Sequence, residues 1–370
     1  GGVATERAFL MVLVMLAAVL VDRRALSLRT VALAGVVILA LAPESLMTPG
    51  FQMSFAATVA LIVIYPPWQK LGNRLPWYMR PAAMLVLSSV VAGFATAPYA
   101  AAHFGRMAHY GVLANLLVVP VVGVLVMPMG PLAVLLAPFG LAWIPLWVMG
   151  LGTRWMLFVG EWIAGLNGAV TYVVQPQPWV IPVMTAGAII AMLCWRGPER
   201  GRVNPRAMAG VAMMALAGLF WLAPPRPHIL IAQDGAAVGV LTPEGRALSK
   251  PRGGAFTVGE WLEKDGDGAT QPETAARPGW SGEGRARQIS ALGLNLLHLT
   301  GKSAIESAGP ACRDGAIIVS DQRLDGVSGD CILLDARALR QSGAIAISQT
   351  RAGPLWTSTA EATGRRPWAH

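Results

Sequence analysis

Charge is in short supply through most of this chain. Asp, Glu, Lys and Arg make up 13% of its 370 residues, against 54% hydrophobic residues. Residues 1–223 hold 13 basic and 5 acidic side chains, too few to solvate the surface of a water-soluble domain of that length. Cysteine is limited to Cys194, Cys312 and Cys331, which excludes a disulfide-dense scaffold. No GxxxxGK[ST] phosphate loop occurs, so any nucleotide-driven motor has to be another protein. Neither an initiating Met nor a signal-peptide pattern stands at Gly1-Gly2, and a longer parent chain with an N-terminal region beyond this one is the expectation.

Long apolar runs are what the first 223 residues do have. They lie near 8–21, 30–47, 51–67, 81–101, 109–129, 131–149, 151–166, 178–195 and 207–223. Spanning a bilayer takes about 20 apolar residues, so the fold class is a polytopic α-helical membrane protein of about eight or nine segments, followed by a small soluble α/β domain. Basic residues cluster in three loops: Arg23, Arg24 and Arg29; Lys70, Arg74 and Arg80; Arg196, Arg200, Arg202 and Arg206. By the positive-inside rule these loops are cytoplasmic, and the run 207–223 then carries the remainder outward. Five runs lie between the second and third clusters, where sidedness demands an even number. One re-entrant or half-length segment is therefore expected between 111 and 166, where Pro120, Pro128, Pro131, Pro138 and Pro145 interrupt the helical ladder.

Pro49-Gly50 breaks the chain just before Gln52 and Ser54, polar residues that open an apolar run and need protein or water rather than lipid as partners. Glu161 is the lone carboxylate of its run, and Arg154 is its candidate partner.

Three pieces in order carry a resemblance to a known family: Thr5-Glu6-Arg7-Ala8; Pro43 with Pro49-Gly50-Phe51-Gln52-Met53-Ser54-Phe55-Ala56; and His103-Phe104-Gly105-Arg106 with Tyr110-Gly111-Val112-Leu113-Ala114-Asn115-Leu116-Leu117-Val118-Val119-Pro120. In them the chain resembles the ComEC/Rec2 competence proteins of the bacterial inner membrane, over roughly residues 1–220. The resemblance implies a channel that passes single-stranded DNA into the cytoplasm during natural transformation. It also implies a cytoplasmic helicase-like ATPase and a periplasmic DNA receptor as partners, with membrane lipid around the chain and a homo-oligomer as an open assembly.

A DNA path needs groups that attract phosphate without trapping it, and Gln52, Ser54, His103, Arg106 and Asn115 are of those types, with Pro49, Gly50 and Pro120 as helix-break or gating positions. Each has a plainer alternative. Gln52 and Ser54 can bond across helices; Asn115 can donate to a carbonyl freed by Pro120; His103 and Arg106 can face headgroups. A secondary transporter of a small solute fits the same broken helices and polar groups.

Beyond a Pro-rich linker at 224–228, residues 229–370 read as the soluble domain. Residues 228–232 and 237–241 around Asp234-Gly235 read as a hairpin, 255–262 as a short helix or strand, 316–320 and 331–335 as buried strands, and 336–342 as a brief helix before 344–347. The Gly- and charge-rich stretch 263–288 reads as an exposed loop, and Asp265-Gly266-Asp267-Gly268 within it as a solvated turn, since the closing Glu of a calcium loop is missing. Many family members carry here a metallo-β-lactamase-like domain, which this tail resembles only in placement and strand pattern. The clustered His and Asp ligands of such hydrolases are missing, because His228, His298 and His370 are isolated. A degenerate, non-enzymatic domain without metal or other cofactor is the expectation, and a membrane-tethered metal-dependent nuclease is the alternative. Cys312 and Cys331 are the candidate disulfide if the domain is periplasmic, although sequence separation alone does not establish it.

Overall fold

The apolar runs fold as paired helices. A computed structural model describes residues 27–72, 75–194 and 204–364, and the chain divides into two compact units, 1–171 and 172–370. That division groups the last two apolar helices with the C-terminal domain, where composition changes only at 223–224. The run near 8–21, Thr5 to Ala8 and His370 lie outside the described residues, as do Arg23, Arg24, Arg74, Arg196, Arg200 and Arg202 of the basic clusters.

In the first unit, helix α1 (Leu28–Leu41) starts from the hydroxyl cap of Ser27 and leads through a 3₁₀ turn (Pro43–Met47) to α2 (Pro49–Gly72). α2 pairs with α3 (Arg80–Phe104), and Gly35 of α1 leaves room for the Phe55 ring. β1 (Arg106–Ala108) separates α3 from α4 (Gly111–Phe139), which relaxes into a π turn at Val122–Val126 and closes in a 3₁₀ turn. α5 (Trp143–Ala164) returns along α4, and β2 (Val170–Tyr172) pairs with β1.

Between 111 and 166 the described residues divide differently from the runs read there, and the re-entrant or half-length segment stays an expectation. Two long helices stand where three runs were read. Pro120 lacks the N–H that would serve the Leu116 carbonyl, and the chain adapts by re-registering rather than breaking. The Val122 N–H is shared by the Val118 and Val119 carbonyls, while the Leu117 carbonyl accepts the indole N–H of Trp155 on α5 at 3.1 Å. A neighbouring helix thus supplies a donor to the carbonyl next to the one that the proline leaves without its N–H. Gly152 makes this approach possible, since a Cβ there would lie 2.5 Å from Val126 Cγ2.

Among the described residues four helices are long and apolar enough to cross a membrane: Pro49–Gln69, Arg80–Phe104, Gly111–Phe139 and Pro205–Leu222. The count of eight or nine segments is not reached among the described residues. Leu135, Phe139, Phe94 and Leu219 on these helices are more than 60% exposed, the outward apolar surface that lipid rather than water accommodates.

In the second unit, α6 (Val180–Cys194) and α7 (Pro205–Leu222) form a hairpin whose crossing is built on small residues. A Cβ on Gly210 would stand 2.5 Å from both the Gly187 carbonyl oxygen and the Ala191 nitrogen, so the backbones touch there.

The C-terminal domain is layered helix, sheet, sheet, helix. One sheet runs β11 (Gly353–Ser358), β10 (Ile345–Thr350), β3 (Ile229–Ile231), β4 (Val238–Thr242), β5 (Gly245–Leu248), all antiparallel. The other runs β6 (Ala286–Ala291), β7 (Leu294–Leu299), β8 (Ala316–Ser320), β9 (Cys331–Leu334), with parallel pairs after the first hairpin. Strand alternation sets the layers. Ile229, Ile231, Ile317 and Val319 meet between the sheets. Leu230 faces the other way onto Val258, Trp261 and Leu262 of α8 (Ala255–Lys264). Ile318 likewise faces Ala304 and Ala308 of α10 (Ala304–Ala311). The hairpin, the helix at 255 and the buried strand at 316 stand as the sequence suggested, as does α11 (Ala336–Ser342); the strand at 331 forms but is only partly buried, with Ile332 45% exposed. A short α12 (Thr359–Thr363) follows β11.

Two readings of this domain need correction. Residues 263–288 are no exposed loop: Asp265, Thr274 and Trp280 are buried, and α9 (Gln271–Ala275) forms from a Thr270–Glu273 capping box, a start signal present in the sequence. The Asp265–Gly268 turn is not solvated either. Asp265 is gripped by Nε and Nη2 of the fully buried Arg246, and Asp267 is paired with Arg277. Burial pushes the Asp267 carboxyl up, but the Arg277 hydrogen bond, the Ala269 amide and the nearby guanidinium charges outweigh it and hold the group below the usual carboxylate range.

Candidate functional site

Polar side chains of the first unit gather at one end of its helices. Thr48 prepares the start of α2: its hydroxyl donates to the Ser45 carbonyl at 2.7 Å and accepts the Phe51 N–H at 3.4 Å. Pro49 then occupies the first helical position, where its missing N–H costs nothing. The Pro-Gly pair is thus a helix start, and it delivers Gln52 one turn in.

The Gln52 amide is used at both ends. Its Nε2 donates to the Leu46 carbonyl at 2.9 Å, and its Oε1 lies 2.8 Å from Nε2 of His103 in the last turn of α3. The Leu46 carbonyl accepts only, so it fixes which way the amide points, and the oxygen left for His103 requires that Nε2 of the ring carry a proton. Two residues 51 positions apart in the chain are thereby fastened across the α2–α3 hairpin, the bond-across-helices reading of Gln52.

The chain then turns at Gly105, whose φ of 59° is left-handed, and Arg106 enters β1 exposed, with its Nε donating to the Phe104 carbonyl at 3.3 Å. A second fastening follows. His109 Nε2 lies 2.7 Å from Thr171 Oγ1, the His109 N–H donates to the Ala169 carbonyl at 3.0 Å, and Tyr110 donates its hydroxyl to the Asn167 carbonyl at 3.0 Å. Of these only Tyr110 stood out in the sequence, although the Asn167-Gly168 dipeptide marks the turn that presents its partners.

Ser54 and Asn115 are exposed one to two turns in from the same end, on α2 and α4. Asn115 makes no hydrogen bond among the described residues, so its expected donation to a proline-freed carbonyl is not observed; the indole of Trp155 takes up the neighbouring Leu117 carbonyl instead. Pro120 sits within α4 just before the π turn. Glu161 and Arg154 are both exposed on α5 and form no ion pair among the described residues, being nearly two helical turns apart. Among the described residues this end carries the exposed guanidinium of Arg106 and the exposed carboxylates of Glu44 and Glu161, a balance that attracts phosphate weakly.

In the C-terminal domain the two described histidines have structural hydrogen bonds. His298 is 1% exposed; its Nε2–H donates to the Gly235 carbonyl at 2.9 Å, and its Nδ1 accepts the Ser249 hydroxyl at 2.7 Å. Burial pushes its pKa down to about 4. His228 Nδ1 accepts the Gln349 N–H at 3.4 Å. No group of three or more His, Cys, Asp or Glu side chains is placed to hold a metal among the described residues. A cleft of about 480 Å³ is lined by Gln233, Asp234, Thr257, Asp321, Ala336 and Arg340, carboxylates and a guanidinium without imidazole. Cys312 and Cys331 are joined in a disulfide, with Cα atoms 4.9 Å apart, and Cys194 is free.

Residues 1–198 match the family model described as Competence protein. No curated protein and no solved structure matches the chain.

Proposed function

The chain belongs to the competence protein family, with a role in DNA uptake, and from that premise we propose that it passes single-stranded DNA through the bacterial inner membrane into the cytoplasm during natural transformation. The observation that carries the reading is the family match over residues 1–198, and a sidedness argument supports it. We take α1, α5 and α6 as crossings beside the four longer spans; two described helices, α1 and α2, then lie between the first and second basic clusters, and four, α3 to α6, between the second and third. Both numbers are even, and on that count the three clusters share a side, the cytoplasmic one by the positive-inside rule. The turns at 43–48, 105–110 and 165–179 and everything after 223 then fall on the other, periplasmic side. The loop contacts agree with this placement: Gln52 with His103 and His109 with Thr171 in one unit, Gln175 with Lys264 in the other. The Cys312–Cys331 disulfide suits an oxidising periplasm.

On this reading the polar end of the first unit is the entrance. Arg106, Ser54 and Asn115 meet the strand, while Gln52 and His103 hold the hairpin that frames it. Partners of the kinds the family resemblance implied, a periplasmic DNA receptor and a cytoplasmic helicase-like ATPase, supply capture and pull. The helix–sheet–sheet–helix layering supports a metallo-β-lactamase-like origin for the C-terminal domain, and the structural engagement of His228 and His298 supports a non-hydrolytic one. The small-solute transporter is less well supported, since α4 runs on through its π turn and is not the broken helix that motivated it.

The test is nuclease-protected uptake of end-labelled duplex DNA in cells deleted for the complete gene. Loss of the internalised strand with surface-bound DNA retained, and rescue by the gene, is the expected result. Unchanged uptake overturns the channel reading.

A further inference from the structure

The Asp265–Gly268 turn is too elaborate for a loop that merely connects α8 to α9. Arg246, 0% exposed, holds Asp265 and at the same time donates from Nη2 to the Pro227 carbonyl at 3.1 Å, inside the Pro-rich linker. Arg277 holds Asp267 and donates to the Arg246 carbonyl at 3.0 Å. Two buried or half-buried ion pairs therefore stiffen one four-residue turn, and its glycines receive another part of the chain.

That part is the stretch 172–177, just before α6. The Gln175 N–H donates to the Lys264 carbonyl at 3.0 Å. A Cβ on Gly266 would lie 2.4 Å from the Val174 nitrogen, and one on Gly268 would lie 2.2 Å from the ring of Tyr172, so backbone and ring lie directly on the turn. The same stretch is held from its other side by α7. Trp221 donates its indole N–H to the Val174 carbonyl at 2.8 Å, and the Trp179 ring meets Phe220 edge-on with centroids 5.1 Å apart.

We propose that residues 172–177 are a strap that locks the C-terminal domain to the α6–α7 hairpin, so that the two move as one body. The domain is attached twice: through the chain from α7, whose linker carbonyl is clamped by Arg246, and through the strap, gripped between Trp221 and the Gly266–Gly268 backbone. A domain on a proline linker alone would swing freely. With the strap in place, force or displacement at the domain reaches α6 and α7 without slack. This does not depend on what the protein transports.

The experiment uses the full chain in lipid nanodiscs with Cys194→Ser and spin labels at Leu219→Cys on α7 and Arg351→Cys in the β10–β11 turn. The parent should give one narrow distance distribution, and Gly268→Val, which drives Tyr172 off the turn, should broaden it about twofold. Tyr172→Ala is the second variant, because it alters the strap and leaves the domain sequence untouched. Near-UV circular dichroism of the buried Trp261 and Trp280 checks that the domain stays folded. A parent distribution as broad as the variants', or a width unmoved in a variant whose domain is folded, overturns the strap.

Discussion

Replacing Gln52 by Leu separates a residue that touches DNA from one that holds the entrance together. The substitution removes two hydrogen bonds at once, to the Leu46 carbonyl at 2.9 Å and to His103 Nε2 at 2.8 Å. Gln52 is half-buried, so water or headgroups recover part of each loss. Interhelical polar contacts in membrane proteins average about 0.6 kcal/mol and reach about 1.7. The bond to the 3₁₀ turn adds about 1 kcal/mol. The expected cost is therefore about 1–3 kcal/mol, enough to loosen the α2–α3 hairpin without unfolding the unit. The assay is a double-mutant cycle of Gln52→Leu and His103→Leu, read by thermal unfolding of the purified full chain and by nuclease-protected DNA uptake. If the pair acts as one fastener, the double variant is less destabilised than the sum of the singles by about 0.5–1.5 kcal/mol, and uptake falls equally in all three. Strict additivity, or loss of uptake in Gln52→Leu alone with stability unchanged, refutes the fastener and makes Gln52 a direct DNA contact.

Acidification should weaken the C-terminal domain through His298. Its folded pKa, about 4, lies below the ordinary value of 6.5, so above pH 6.5 it contributes nothing. As pH falls toward 4 the unfolded chain takes up a proton that the folded one refuses, and stability drops by up to about 3 kcal/mol. Denaturant unfolding monitored between pH 7 and 4 checks this, and His298→Asn should flatten the slope. Asp265→Asn leaves the Arg246 charge buried and poorly paired and should cost about 3–5 kcal/mol, measured as a fall in denaturation midpoint. Gly210→Leu forces α6 and α7 apart at a contact with no room for a Cβ, and should lower the yield of folded protein in detergent, whereas Gly218→Leu, with nothing within 4 Å, should not.

What could be read in the sequence was the local chemistry, and what could not was the pairing. Alternation in 228–241 and 316–320 suffices for the β3–β4 hairpin and for β8, because a strand with one or both faces buried writes its period into the residues. Gln52 and His103 stood out separately as polar residues in apolar surroundings, but nothing in a single sequence says that residue 52 meets residue 103. Residues 263–288 misled for a similar reason. Their charges read as solvation, while the partners that bury them, Arg246 for Asp265 and the strand residue Ala247 for the Trp280 indole, are supplied by tertiary folding. The Thr270–Glu273 box was legible and would have flagged α9.

The prolines of 111–166 show where local propensity and the membrane disagree. In water a proline inside a helix costs about 3 kcal/mol and marks a boundary, and on that rule the stretch splits into three pieces. In hydrocarbon an unsatisfied carbonyl is the larger penalty, and breaking the helix would leave several, whereas a π turn and one indole N–H from a neighbour leave fewer. The chain therefore keeps α4 whole through Pro120, and the next boundary falls at Gly140, whose φ of 71° ends the helix in the left-handed region. Moving that one boundary leaves two helices where the sequence suggested three runs. Trp155 on the Leu117 carbonyl ties α4 to α5 within a turn of the proline, a donor that the neighbouring helix supplies where water cannot.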